Sequence, residues 1–124
     1  MKKTIVFDFD NVIHVGYNGY KDGSIYGEID YELLEFMKEL LNNYTVVISS
    51  NRPAKQIVEF MNNLDTGLKF EEYDTLFWNT PYVVGVTNNK AVGILYIYDH
   101  GFRYENNLDT KENIKNIKEI LENI

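Results

Sequence analysis

The run TIVFDFD, residues 4–10, constrains the fold more than any other stretch. Thr4 to Phe7 is almost wholly apolar, and two acids follow at Asp8 and Asp10. A short strand without polar alternation is expected to be buried on both faces, as in the middle of a parallel sheet. Strand side chains alternate, so Asp8 and Asp10 are expected on one side of the strand end and Phe7 and Phe9 on the other. Two carboxylates that close repel unless something positive sits between them. A hard cation with oxygen ligands meets that need, and beside phosphates the usual one is Mg²⁺. A turn acid plus a loop or helix cap is the plain alternative.

The order of the following segments points to an α/β chain. Residues 14–29, HVGYNGYKDGSIYGEI, hold four glycines and no helical period, which suits a loop or small flap. Asp30 then caps a helix whose apolar positions are Leu33, Phe36, Met37, Leu40 and Leu41, with Asn42 and Asn43 at its end. TVVIS, residues 45–49, is a second central strand. Pro53 suits the first turn of a helix with Ile57, Val58, Met61 and Leu64 on its apolar face. EEYDTLFWN, residues 71–79, is expected to contain a third strand around Thr75 to Trp78. YVVGVT, residues 82–87, reads as a strand weakened by Gly85 and Pro81, and GILYIYD, residues 93–99, as another that ends in an acid. Thr110 opens a last helix with Ile114, Ile117, Leu121 and Ile124 on one side.

This alternation predicts one α/β domain over residues 1–124, a doubly wound, Rossmann-like parallel sheet with helices on both faces. In such sheets ligands bind beyond the carboxyl ends of the strands. Asp8, Ser50 and Asp99 each follow a predicted strand, so all three are expected at that edge.

Composition narrows the function. Hydrophobic residues are 44%, enough for a core in one domain, and cysteine is absent, so disulfides and thiolate metal sites are excluded. The net charge of −7 argues against a nucleic-acid backbone surface but not against a small phosphorylated substrate whose charge a metal offsets. The apolar run after MKK is shorter than the core of a secretion signal, and no run approaches a membrane span. A soluble, cytoplasmic protein with no membrane partner is expected.

DFDNV, residues 8–12, resembles the first motif of the haloacid dehalogenase (HAD) superfamily of phosphatases, Asp-x-Asp-x-Thr/Val. The resemblance implies that Asp8 is the nucleophile that becomes an aspartyl phosphate and that Asp10 is the general acid/base. VVISSNRP, residues 46–53, resembles the second motif, with Ser50 as the hydroxyl that bonds the phosphoryl group; Ser49 is one residue away. Asn11, Asn51 and Arg52 are placed toward the substrate by the same likeness. A helix cap is the plain reading of Ser50, and a solvated helix start that of Arg52. Lys90 holds the position of the third-motif lysine, which stabilises the phosphorylated intermediate; solvent exposure is its plain reading. The fourth motif is matched by Asp99, while Tyr98 stands where the family carries its first acid and His100 where it carries Arg. Asn11 likewise replaces the more common Gly. Mg²⁺ is the implied cofactor, with Asp8, Asp10 and Asp99 as ligands.

The resemblance runs from about Lys3 to Tyr104 and leaves no room for a cap domain. A capless site is open, which suits a large substrate or closure by a second copy of the chain, with a small sugar phosphate or nucleotide as a further substrate class. Mg²⁺-dependent phosphomonoester hydrolysis is the expected activity. A binding or regulatory module that has lost turnover, because Tyr98 replaces an acid, is the alternative. A receiver-type signalling domain fits less well, since its phosphorylated Asp follows a middle strand, where this chain has Ser49 and Ser50. His14 and His100 are each either a metal ligand or proton shuttle, or a hydrogen-bonded structural residue. Tyr17, Tyr20 and Tyr26 either face the substrate or cover the core or an oligomer contact.

Overall fold

The apolar run at the amino terminus forms a strand with a hydrogen-bonded neighbour on each edge. The computed structural model describes residues 3–19, 23–72, 83–89, 93–97 and 110–123. Within them the elements are β1 (Thr4–Phe7), β2 (His14–Val15), β3 (Glu28–Ile29), α1 (Tyr31–Leu40), β4 (Thr45–Ser49), α2 (Ala54–Asn62), β5 (Lys69–Glu72), β6 (Val83–Thr87), β7 (Leu95–Ile97) and α3 (Thr110–Glu122). Five strands form one sheet in the order β5-β6-β4-β1-β7, and every described pair in it is parallel. The fold is α/β. The strands expected after Lys3 and after Tyr44 stand where their apolar runs placed them.

Two neighbours with opposite histories flank β1. The chain leaves it through α1 to reach β4 on one side, and returns at β7 on the other. Phe7 is aligned with Ile48 of β4 and with Ile97 of β7, so the three strands end at one level. The strand order therefore reverses at β1, and ligand crevices in open parallel sheets lie outside the carboxyl ends at such a point.

Side-chain alternation sorts the sheet into two faces. Ile5, Phe7, Val46, Ile48, Val84, Val86, Leu95 and Ile97 share one buried cluster with the apolar residues of all three helices. On the other face Val6 and Val47 pack with Tyr96, and no described helix sends a buried side chain there. Gly93, which leads into β7, lies against that face. A Cβ on Gly93 would stand 2.8 Å from both the Thr4 carbonyl oxygen and Val6 Cγ2.

Local signals account for the helix starts. The Asp30 side chain accepts a hydrogen bond from Leu33 N–H at 3.1 Å, which satisfies one of the unpaired donors of the first turn of α1. Pro53 precedes α2 as its cap residue and offers no side-chain bond. That task falls to Asn88, beyond β6, whose Oδ1 accepts from Ala54 N–H at 3.0 Å.

The third strand differs from expectation. β5 occupies residues 69–72, whereas the expected strand near Thr75 to Trp78 lies outside the described residues. In β5 only Phe70 is buried, and charged side chains surround it. An edge strand with one buried residue carries no apolar run for a sequence reading to find. Its outer edge is closed by Asn62, which donates Nδ2–H to the Phe70 carbonyl and accepts Phe70 N–H at Oδ1, both at 2.9 Å. A side chain that uses up those backbone groups also blocks edge-to-edge pairing there.

No helix among the described residues is long and apolar enough to cross a membrane. The tight approach of Gly93 gives a test of the fold. Gly93→Ala is expected to cost about 1 to 3 kcal/mol through overpacking against β1, read as a lower urea midpoint with an unchanged slope.

Candidate functional site

At the carboxyl end of β1 the ladder runs one residue past the strand. Asp8 N–H donates to the Ile97 carbonyl at 2.7 Å, and one carboxylate oxygen of Asp8 accepts from Phe9 N–H at 2.9 Å. The chain then turns sharply. The Phe9 carbonyl accepts from the N–H groups of Val12, Ile13 and His14 at 3.3, 2.9 and 2.9 Å. The turn places Asn11 at φ 64°, in the left-handed region that Gly and Asn tolerate best. Phe9 is fully buried in the main core and anchors the turn.

The turn brings Asp10 between two donors. Arg52 Nε lies 3.0 Å from each carboxylate oxygen of Asp10, and His14 Nδ1 lies 2.8 Å from Oδ1. The Arg52 and Asp10 side chains are only 10% and 19% exposed, so solvent screens the pair weakly. Arg52 also donates Nη1–H to the Gly23 carbonyl at 2.9 Å, and Gln56 donates to the same oxygen. Its guanidinium carbon stands 6.0 Å from the Phe9 ring centre and 5.4 Å from that of Tyr17, within cation–π range.

The flap, β2 paired antiparallel with β3 and the described residues between them, reaches this pair through the Gly23 carbonyl and the Tyr17 ring. Tyr17 and Tyr26 stack at 5.9 Å, and Tyr26 meets the His14 ring edge-on at 5.6 Å. The Tyr26 hydroxyl accepts from Asn18 N–H and donates to the Gly19 carbonyl at 2.8 Å, which ties the loop back on itself. Tyr17 and Tyr26 therefore line the Arg52 and His14 side of the site; Tyr20 lies outside the described residues.

From β4 the chain presents two serines. Ser50 N–H donates to the Thr87 carbonyl at 3.1 Å, and Ser50 Oγ accepts from Arg52 N–H at 3.1 Å. A hydroxyl that accepts keeps its own proton to donate. Ser49 instead commits its proton to the Asn89 carbonyl at 3.0 Å. Of the two, Ser50 retains the chemistry expected of a phosphate-binding hydroxyl. Asn88 ties the intervening loop by donating Nδ2–H to the carbonyls of Ser50 and Arg52. Asn51 is exposed on that loop. Asp8, Asp10, Asn11, Ser50, Asn51 and Arg52 thus follow β1 or β4 at one edge of the sheet. Lys90, Tyr98, Asp99 and His100 lie outside the described residues.

The donor set fits a divalent cation in part. Asp8 offers a hard carboxylate oxygen at the strand end. The carboxylate of Asp10 already has a positive partner, so the charge conflict that called for a cation is met there by Arg52. Among the described residues no three His, Asp or Glu side chains gather as a metal-holding group.

Asn88 carried no usable sequence signal, and His14, for which the sequence left two readings open, carried none that tied it to Asp10. Asn88 stands 38 positions from Ser50, and nothing in a polar Asn pair announces a cap. His14 lies four positions from Asp10, a spacing that reads as helical or as nothing in a glycine-rich stretch.

No protein-family model matches the chain, and neither a curated protein nor a solved structure matches it.

Removing Arg52 leaves a largely buried carboxylate without its cation. Arg52→Ala is expected to lower stability by about 3 kcal/mol, the low end for breaking a buried ion pair, measured by chemical denaturation. Arg52→Lys should recover little of it, because an ammonium cannot span Asp10 and Gly23 as the planar fork does.

Proposed function

We propose that the protein is a Mg²⁺-dependent phosphomonoester hydrolase of the HAD type that acts through an aspartyl phosphate on Asp8. The observation that carries this reading is the position of Asp8 at the carboxyl end of β1, where the strand order reverses. The first-motif resemblance and the grouping of Asp10, Ser50 and Arg52 at the same edge support it. A doubly wound sheet with helices on both faces belongs to the same reading. The reversal at β1 favours it, although the described helices pack on one face.

In this mechanism a carboxylate oxygen of Asp8 attacks phosphorus in line with the leaving alcohol. The phosphorus–alcohol bond breaks, and Asp10, which must enter this step as the carboxylic acid rather than as the ion-paired carboxylate, gives the alcohol its proton. In the second half Asp10 accepts a proton from water as that water attacks the phosphorus of the aspartyl phosphate, releasing phosphate and restoring Asp8. Ser50 donates its hydroxyl proton to a phosphoryl oxygen. Asn11, Asn51 and Arg52 face the substrate, and Lys90 opposes the charge of the intermediate. Mg²⁺ held by Asp8 and Asp99 would add positive charge against the phosphoryl oxygens, with Asp10 directed to proton transfer rather than coordination. The substrate is a small phosphorylated molecule, or a larger one admitted by the capless site, and a second copy of the chain is the partner that could close it.

One observation favours a second reading. Both oxygens of Asp10 already accept hydrogen bonds from Arg52 or His14. A binding or regulatory module that keeps the fold without turnover would hold Asp10 in that way permanently.

Hydrolysis of an aryl phosphate with and without Mg²⁺ separates the two. The phosphatase reading expects turnover that chelator abolishes. It expects a loss beyond about a thousandfold for Asp8→Asn, and of about 10²- to 10⁴-fold in kcat for Asp10→Asn, the usual share of an acid/base. Full activity in Asp8→Asn would remove the mechanism. Tight Mg²⁺ binding by calorimetry, with no hydrolysis across a broad ester panel, would favour the binding module.

A further inference from the structure

His14 is wholly buried, and both of its ring nitrogens are engaged by the protein. Gly27 N–H lies 2.8 Å from Nε2. A backbone N–H can only donate, so Nε2 accepts and the ring proton sits on Nδ1. Nδ1 faces Asp10 Oδ1 at 2.8 Å and donates to it. The ring is stacked on Phe9 at 5.6 Å and closed from above by the edge contact with Tyr26. Neither nitrogen remains for a metal or for a proton relay.

The partner at Nε2 is built into the backbone. A Cβ on Gly27 would stand 2.8 Å from Nε2 and 2.0 Å from the Val15 carbonyl oxygen. Only glycine lets the chain bring its N–H so close to the ring. The β2–β3 pairing holds Val15 opposite Glu28, and so sets Gly27 one residue before that pair.

We propose that His14 is a positioning residue for Asp10. Its Nδ1–H holds one carboxylate oxygen while Arg52 Nε bridges both, so two donors on different elements fix the plane of the carboxylate. Gly27 fixes the tautomer that makes the first of these bonds, as a second partner does for an orienting imidazole elsewhere. The proposal rests on reading Asp10 as the acid/base. It adds that the flap is part of the catalytic apparatus: the β2–β3 hairpin sets the aim of a carboxylate on the β1 turn.

Two substitutions separate the ring's two bonds. His14→Asn places an amide N–H where Nδ1 stands, whereas His14→Gln reaches the Nε2 position and leaves Oδ1 of Asp10 with only the donor it shares with Oδ2, Arg52 Nε. With aryl phosphate as substrate, His14→Gln is expected to lower kcat by about 10- to 100-fold, with KM within about twofold. His14→Asn should restore most of kcat at matched melting temperature. Unchanged kcat in His14→Gln, or equal losses in both variants at equal stability, overturns the positioning role while leaving the phosphatase reading intact. No hydrolysis by the unsubstituted protein overturns the phosphatase reading itself. Nitrogen-15 NMR of the imidazole tests the contact without activity or substitution. A proton on Nδ1 is expected, and a proton on Nε2 overturns the proposal.

Discussion

The ion pair between Asp10 and Arg52 ties the turn after β1, the loop after β4 and the flap into one junction. Asp10 follows β1 on a tight turn; Arg52 precedes α2 on the loop that leaves β4. The pair spans 42 positions of sequence and closes over a few ångströms of the sheet's carboxyl edge. Through Nη1 the same guanidinium reaches Gly23 in the flap, and its faces are flanked by Phe9 and Tyr17. Arginine suits this junction because its planar fork can hold several acceptors at fixed angles, and because it is desolvated at less cost than an ammonium. Burial of the pair is weak evidence for net stability, since desolvation offsets much of the attraction. Its consequence is geometric: turn, loop and flap are held in one arrangement.

That junction also shows what the aromatic residues of the flap do. The tyrosines of a glycine-rich stretch can cover a core, meet a partner or face a ligand. Here Tyr17 lies over Arg52 and stacks on Tyr26, and Tyr26 abuts His14. The rings shield a charged pair and its histidine from water, which strengthens those contacts relative to an exposed site. The flap is therefore continuous with the site rather than an ornament on it.

Much of the framework was legible in residues 4–10 and 45–49. Their apolar, β-branched composition marks strands buried on both faces, and β1 and β4 lie there with every residue from Ile5 to Phe7 and from Val46 to Ile48 buried. Asp30 was legible as a cap because capping is decided within three residues. β5 was not legible, because an edge strand needs only Phe70 in the core and fills its other positions with charge. Asn88 was not legible either. It caps α2 from across the sheet, and no local pattern encodes a cap supplied from 34 positions away.

The sequence by itself determined the α/β class, the two central strands and the exit of Asp8 from the first of them. Those features depend on alternation and on runs of apolar side chains, which are local and survive without knowledge of neighbours. Only the tertiary structure decided what neutralises the second acid. From sequence the close carboxylates called for a cation and suggested a metal; in the fold, Arg52 meets Asp10, and His14 donates to it from the flap. Charge pairing of that kind depends on loop closure between distant segments, and the same Arg at the same sequence position would be an ordinary solvated helix start if the turn after β1 aimed Asp10 elsewhere.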